Sequence, residues 1–226
     1  MHHIIRSLYG TIIVFIHIMR DYYRLLGGVW RLSKLDAPIV SVFGGSKIDQ
    51  DHPYAREARM LSQKLLNAGY SVITGGGPGI MMAANCGLFN SETETSHGIS
   101  IGVGVEGLSQ EVRNQCADIF IVTRYFFTRK YLLTRFSNAF IVFPGGYGTA
   151  DELFEILTLM QTEKLRRLPV ILIGTAYWKP LTEWVEKART EKLLLEEDAA
   201  LIFVTDDSDH ALRHVEQHCQ DHFFHS

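Results

Sequence analysis

Two short stretches of this chain hold side chains able to do charge chemistry beside backbone able to hold an anion. Pro144-Gly145-Gly146-Tyr147-Gly148-Thr149-Ala150-Asp151-Glu152 ends in a carboxylate, and Glu155 follows three residues on. On a helix that spacing sets both acids on one face. Upstream, Arg129 and Lys130 are adjacent, with Arg135 beyond them. A cation brought beside a carboxylate keeps the carboxylate ionised at neutral pH. Thr149 and Glu152 also fit the T-x-x-E capping box, in which Thr149 caps a helix and Glu152 reaches back to the cap N–H. That second reading needs no substrate.

The glycines around these residues suggest what the charges act on. Gly44-Gly45-Ser46, Gly75-Gly76-Gly77-Pro78-Gly79 and the Pro144–Thr149 run each follow a short apolar stretch and precede a helical pattern. At such a junction glycine lets backbone N–H groups approach an anion, and the helix N-terminus adds a favourable field. Three such loops point to a phosphorylated small molecule. Position 80 is Ile where a dinucleotide fingerprint needs its third glycine, and no loop reads G-x-x-x-x-G-K-[ST]. Neither a bound dinucleotide nor any other cofactor is indicated, and no transferable γ-phosphate.

The elements that must position these loops follow from hydrophobic period. β-branched runs at Ile39–Phe43, Ser71–Thr74, Ile99–Val103, Ile119–Val122, Ala139–Phe143, Val170–Ile173 and Leu201–Val204 alternate with helical patterns. Pro53 suits a first helical turn, and a further helix begins near Phe126. Strands alternating with helices imply right-handed βαβ units and a parallel sheet covered on both faces, a Rossmann-like doubly wound α/β fold. No repeat or long linker divides it, so residues 37–226 read as one domain, preceded by an N-terminal amphipathic helix over 1–36. Ligands in such sheets bind at the carboxyl ends of the strands near the switch point, where the three loops would lie.

Composition narrows the partners. The chain of 226 residues has a net charge of −3 from 22 basic and 25 acidic residues, interleaved along its length, which excludes a general attraction to nucleic-acid polymers or anionic bilayers. Cys86, Cys116 and Cys219 are odd in number and far apart, which argues against a disulfide framework or a thiolate zinc site and favours a reducing cytosol. The apolar run Thr11–Met19 is too short to span a membrane, which takes roughly 20 residues. Apolar residues continue at helical spacing to Trp30, giving a helix apolar over so wide an arc that a second subunit is its economical cover. His210, His214, His218 and His222 recur every four residues, but they read as a solvated helix face, and no metal site is expected.

The combination of Arg129-Lys130 with Pro144–Glu152 resembles the LOG ("Lonely guy") family, whose signature pairs R-K with P-G-G-x-G-T-x-x-E. Gly44-Gly45-Ser46 and Gly75–Met81 look like that family's other two loops, so the resemblance runs from about Ile39 to Trp184. It implies a phosphoribohydrolase that splits a nucleoside 5'-monophosphate, AMP or a cytokinin ribotide, into free base and ribose 5-phosphate. Catalysis would fall to Arg129 and Glu152. Gly145, Gly146, Tyr147, Gly148, Thr149 and Lys130 would bind the phosphate end, with Gly44, Gly45, Ser46, Gly75, Gly76, Gly77 and Glu155 completing the substrate site. The resemblance also implies homodimers with sites near the interface. Phe126-Phe127-Thr128 stands where the plant-type pattern has M-H-E, near the base pocket, so the resemblance does not carry the plant type's base preference over. The common family label "lysine decarboxylase" fails on chemistry: the lysine beside the motif adjoins Arg129 and reads as part of an anion site, not as a Schiff base. The rival reading is a non-catalytic nucleotide sensor or carrier on the same scaffold.

Overall fold

The computed structural model describes residues 2–88, 98–107 and 114–220. Helix α1 (His2–Leu32) precedes β1 (Ile39–Phe43), α2 (Pro53–Asn67), β2 (Ser71–Thr74), α3 (Ile80–Asn85), β3 (Ser100–Val105) and β4 (Ile119–Thr123). Then follow α4 (Phe126–Arg135), β5 (Ser137–Val142), α5 (Tyr147–Gln161), β6 (Val170–Ile173), α6 (Thr175–Thr190), α7 (Glu196–Ala199), β7 (Ile202–Thr205) and α8 (Ser208–Gln220). The seven strands form one sheet in the order β4-β3-β2-β1-β5-β6-β7, every neighbouring pair parallel. The doubly wound α/β class read from alternation is the class found. The order reverses between β1 and β5, so the loops after those strands open into a crevice.

Period 2 along each strand sends alternate side chains to opposite layers. Ala139 and Ile141 of β5 join a core with α2, α3 and α8. Phe140 and Val142 join the other core, with residues of α4, α5 and α1. The strand expected at Ile99–Val103 runs two residues further, and that at Ala139–Phe143 starts two residues earlier. In each case the parallel partner sets the limit, because ladder hydrogen bonds extend as far as the neighbour does.

The second half of α1 packs on the body. Leu25, Val29 and Leu32 join the second core, and a Cβ at Gly28 would lie 2.9 Å from Leu132, the mark of close approach. Tyr9 (67% exposed), Phe15 (62%) and Trp30 (60%) lie among a run of exposed apolar side chains on this helix. No helix among the described residues is long and apolar enough to cross a membrane.

One expectation from the cysteines is overturned. Cys86 and Cys116 form a disulfide with Cα atoms 4.9 Å apart, although 30 residues separate them. Spacing along the chain carries no hint of it, because the end of α3 and the approach to β4 meet only through the sheet. Asn85, beside Cys86, donates to Ser100 Oγ and the Ile101 carbonyl and accepts from Asn114 Nδ2 and Thr74 Oγ1. That buried network draws the two cysteines together. Cys219 is free and buried.

Candidate active site

The crevice at the switch point is a cavity of about 890 Å³, of a size that holds a nucleotide-sized ligand. Each of the three glycine loops supplies part of its wall. Of the residues singled out from the sequence, Gly44, Gly45, Ser46, Gly75, Gly77, Arg129, Gly145, Gly146, Tyr147, Gly148, Thr149 and Glu152 line it. Gly76, Lys130 and Glu155 do not.

The loops are pressed against one another. Gly45 N–H donates to the Pro144 carbonyl, and Gly45 O accepts from Ile80 N. Gly79 has φ +69, and a Cβ there would lie 2.2 Å from Gly45 O; the turn and the approach both require glycine. Gly145 lies under Thr149, whose Oγ1 would be 2.1 Å from an added Cβ. Around Gly146 and Gly148 the space is open.

That openness comes with a correction to the capping box. α5 starts at Tyr147, its N-cap is Gly146, and no side chain caps it. Thr149 and Glu152 therefore sit inside the helix, further along than the box needs. Thr149 N–H and Ala150 N–H both bond the Gly146 carbonyl, and Tyr147 and Gly148, ahead of them in the first turn, line the cavity, where a helix N-terminus suits an anion.

Glu152 is 6% exposed, and its Oε2 is buried without a hydrogen-bond partner. Burial pushes its pKa up to about 7; Arg129 and Lys130 pull it down, while Glu155 and Asp151 push it up again. The expectation that a neighbouring cation keeps this acid fully ionised at neutral pH thus fails, because desolvation outweighs the attraction. Arg129 reaches the cavity from α4. Its Nε donates to the Val103 carbonyl at 3.0 Å, and its guanidinium crosses Gly75 so closely that a Cβ there would meet Nη2 at 1.7 Å.

Lys130 points elsewhere, although it is the next residue. Its Nζ lies 2.8 Å from Asp151 Oδ2 and 2.5 Å from Glu155 Oε2, joining α4 to α5. Burial would lower its pKa, but these hydrogen bonds outweigh burial and hold it above the ordinary lysine range. Asp151, absent from the residues picked out of the sequence, shares in this cluster and lines the cavity. Met81 and Phe126, both in stretches that carried the family resemblance, line it too, and so do His52, Tyr54 and Tyr177, which had no sequence signal. Only the sheet's crossovers bring them there. Lys47, one residue past Gly44-Gly45-Ser46, is a cation beside a glycine loop that the sequence could have revealed. Phe127 stacks on Tyr125 and is largely exposed, and Thr128 is buried toward α1.

The C-terminal histidines form a ring stack rather than a wholly solvated face. His214 stacks on Phe203 at 4.2 Å, His210 meets the same ring edge-on, and His218 lies 4.4 Å from His214. Burial, with His218 and His210 beside it, holds His214 below the usual histidine range. His222 lies outside the described residues. Among the described residues no group of three His, Cys, Asp or Glu side chains could hold a metal ion.

A parallel doubly wound sheet whose switch-point cavity joins glycine loops, a buried carboxyl and an arginine defines a Rossmann-like protein. Residues 81–215 match the family model described as "Possible lysine decarboxylase", and the chain belongs to that family, which includes the LOG proteins. It is 32% identical over 151 residues to a probable cytokinin riboside 5'-monophosphate phosphoribohydrolase of Oryza sativa subsp. japonica, covering 66% of this chain and 59% of the rice protein. A cytokinin riboside 5'-monophosphate phosphoribohydrolase of Rhodococcoides fascians is 26% identical, with 76% and 86% covered. The pyrimidine/purine nucleotide 5'-monophosphate nucleosidase of Escherichia coli (strain K12) is 29% identical, with 82% of this chain and 44% of that one covered. Among solved structures, the molybdenum cofactor carrier protein of Chlamydomonas reinhardtii has a TM-score of 0.59 at 27% identity, covering 81% of this chain and 99% of that one.

Proposed function

We propose that this protein hydrolyses the N-glycosidic bond of a nucleoside 5'-monophosphate. The C1'–N bond breaks, water supplies hydroxide to C1' and a proton to the base, and free base and ribose 5-phosphate leave. The observation that carries this reading is Glu152: a buried carboxyl with an unpartnered oxygen, lining a cavity walled by three glycine loops and Arg129. A site that only held an anion would gain nothing from a carboxylate beside it, whereas an oxocarbenium-like transition state does. The relatives named as phosphoribohydrolases and nucleosidases support the same bond and substrate class.

In this reading ionised Glu152 orients the attacking water or the ribose hydroxyls and offsets the charge developing at C1'. Arg129 contacts the substrate and positions Glu152. The first turn of α5, with Gly145, Gly146, Gly148 and Thr149, takes the 5'-phosphate. Lys130 and Glu155 act at one remove, through the cluster that ties α4 to α5. Phe126 and Met81 provide apolar wall for a planar base. The lysine beside the motif is engaged with two carboxylates, which supports hydrolysis over the Schiff-base chemistry of the family label.

Residues 37–226 act as the catalytic unit, and a homodimer covers the exposed apolar face of α1. A cytoplasmic location draws no support from the cysteines, because Cys86 and Cys116 are bonded. A carrier reading is favoured by one observation, the similarity to the Chlamydomonas carrier. A panel of nucleoside monophosphates and matching nucleosides, assayed for free base, decides between them. Release from a monophosphate at a far higher rate than from its nucleoside is expected, because phosphate binding energy is used at the reacting centre. Equal rates on the two would overturn the phosphate assignment, and tight binding without release would establish the carrier.

A further inference from the structure

We propose that Asp21, on the N-terminal helix, is a positioning residue for Arg129. Asp21 is 3% exposed, and a carboxyl group taken out of water must be paired or hydrogen-bonded to be tolerated. Two partners at the start of α4 hold it. Oδ1 accepts the backbone N–H of Arg124 at 2.6 Å, and Oδ2 accepts the hydroxyl of Thr128 at 2.5 Å. The N-cap of α4, Tyr125, has no side-chain cap hydrogen bond. A carboxylate from another helix therefore straddles the cap, where the exposed N–H groups and the helix dipole favour negative charge. Arg24, one turn along α1, pairs with Glu106 at 2.7 Å, and Arg124 approaches the same carboxylate at 3.8 Å. The corner where α4 begins is thus clamped to α1 from two sides.

Thr128 and Arg129 are consecutive, so their side chains leave α4 about 100° apart. Holding the Thr128 hydroxyl on Asp21 sets the rotation of the first turn. With that rotation, Arg129 reaches across Gly75 to the Val103 carbonyl. Packing alone would not need this carboxylate, because Gly28 and Leu25 already bring α1 onto the body through apolar contact. Asp21 lies outside residues 81–215, the part matched by the family model.

This inference rests on Arg129 serving the proposed reaction, and the experiment separates the two. Base release from the best-cleaved monophosphate of the panel is measured for Asp21→Asn, Thr128→Val, Thr128→Ser, Arg129→Ala and the Asp21→Asn/Arg129→Ala double variant, with melting curves for each. Asp21→Asn and Thr128→Val are expected to lower kcat/KM on the order of tenfold to a hundredfold, the cost of a small misplacement of a catalytic group. Thr128→Ser, which keeps the hydroxyl, retains activity. In the Arg129→Ala background Asp21→Asn causes no further loss, because its effect passes through the guanidinium. Losses that multiply in the double variant would overturn the proposal. So would a Thr128→Ser loss equal to that of Thr128→Val, or wild-type turnover in Asp21→Asn. If Arg129→Ala itself turns over normally, the assignment of Arg129 fails first and takes the positioning role with it. Should Asp21→Asn not fold, the Thr128 pair alone carries the comparison.

Discussion

At the scale of the residue, Glu152 holds the most consequences. Its folded pKa is about 7 against an ordinary value of 4.5, so the folded chain holds this proton more tightly than the unfolded chain. Stability therefore falls as pH rises from about 4.5 through 7 and levels off above. The loss is on the order of 3 kcal/mol at most. Glu152→Gln removes that titration, so the variant should melt close to wild type near pH 5 and above it at pH 8, as followed by circular dichroism. Activity moves the other way. The ionised form is the one the cation-like transition state needs, so kcat/KM of the wild type should climb through an apparent pKa near 7. Glu152→Gln should abolish base release while nucleotide binding survives. A variant that keeps wild-type turnover, or a wild-type profile flat from pH 6 to 8, removes Glu152 from the chemistry. Nothing in the sequence foretells this elevated pKa. Arg129 is visible beside the motif and argues for a lowered value, whereas burial is a property of the packed helix.

At the scale of the element, the loop entering α5 and the helix's first turn use their glycines in two different ways. Gly145 is held by its neighbours: an added Cβ would lie 2.1 Å from Thr149 Oγ1 and 2.8 Å from Gly45 N. Gly145→Ala should cost about 1–3 kcal/mol of stability, as overpacking does. At Gly148 an added Cβ would meet nothing within 4 Å, and the residue lies in a helix, where alanine is preferred by up to about 1 kcal/mol. Gly148→Ala should therefore raise the melting temperature slightly while weakening turnover of the monophosphate, since it adds a methyl group to the wall of the cavity. Thermal melts and KM values of the two variants test this. A stable Gly145→Ala, or a Gly148→Ala with unchanged KM, contradicts the division. The elements themselves are legible because period 2 and period 3.6 are local properties of sequence. The capping box misleads because T-x-x-E reads the same whether the helix starts just after Thr149 or before it, and a pattern alone does not fix a helix boundary.

At the scale of the molecule, α1 is the part least explained by the single chain. Its inner face holds Asp21, Leu25 and Leu32 against the body, while Ile12, Phe15, Ile16, Tyr23 and Trp30 stand exposed. A patch of this kind marks a contact surface. Light scattering should find at least a dimer for the full chain at micromolar concentration, and a variant starting at Leu35 should lose that association along with part of its stability. A monomeric full chain sinks the dimer, and a dimer that survives the truncation locates the interface elsewhere.

What the sequence determined by itself is whatever depends on neighbours along the chain. The β-branched runs of β1 and β6, the helical start at Pro53 and the glycine loops after β1, β2 and β5 are all of this kind, and with parallel crossovers they imply the switch-point crevice. The tertiary structure alone decided which way each side chain points once there. Arg129 and Lys130 are neighbours, yet one enters the cavity and the other ties α4 to α5. Cys86 and Cys116 meet across 30 residues, and Asp21 reaches Thr128 across 107. Burial, pairing and contact at such separations arise from the packing of the sheet and its helices, where desolvation and close approach set the energies, and no local pattern encodes them.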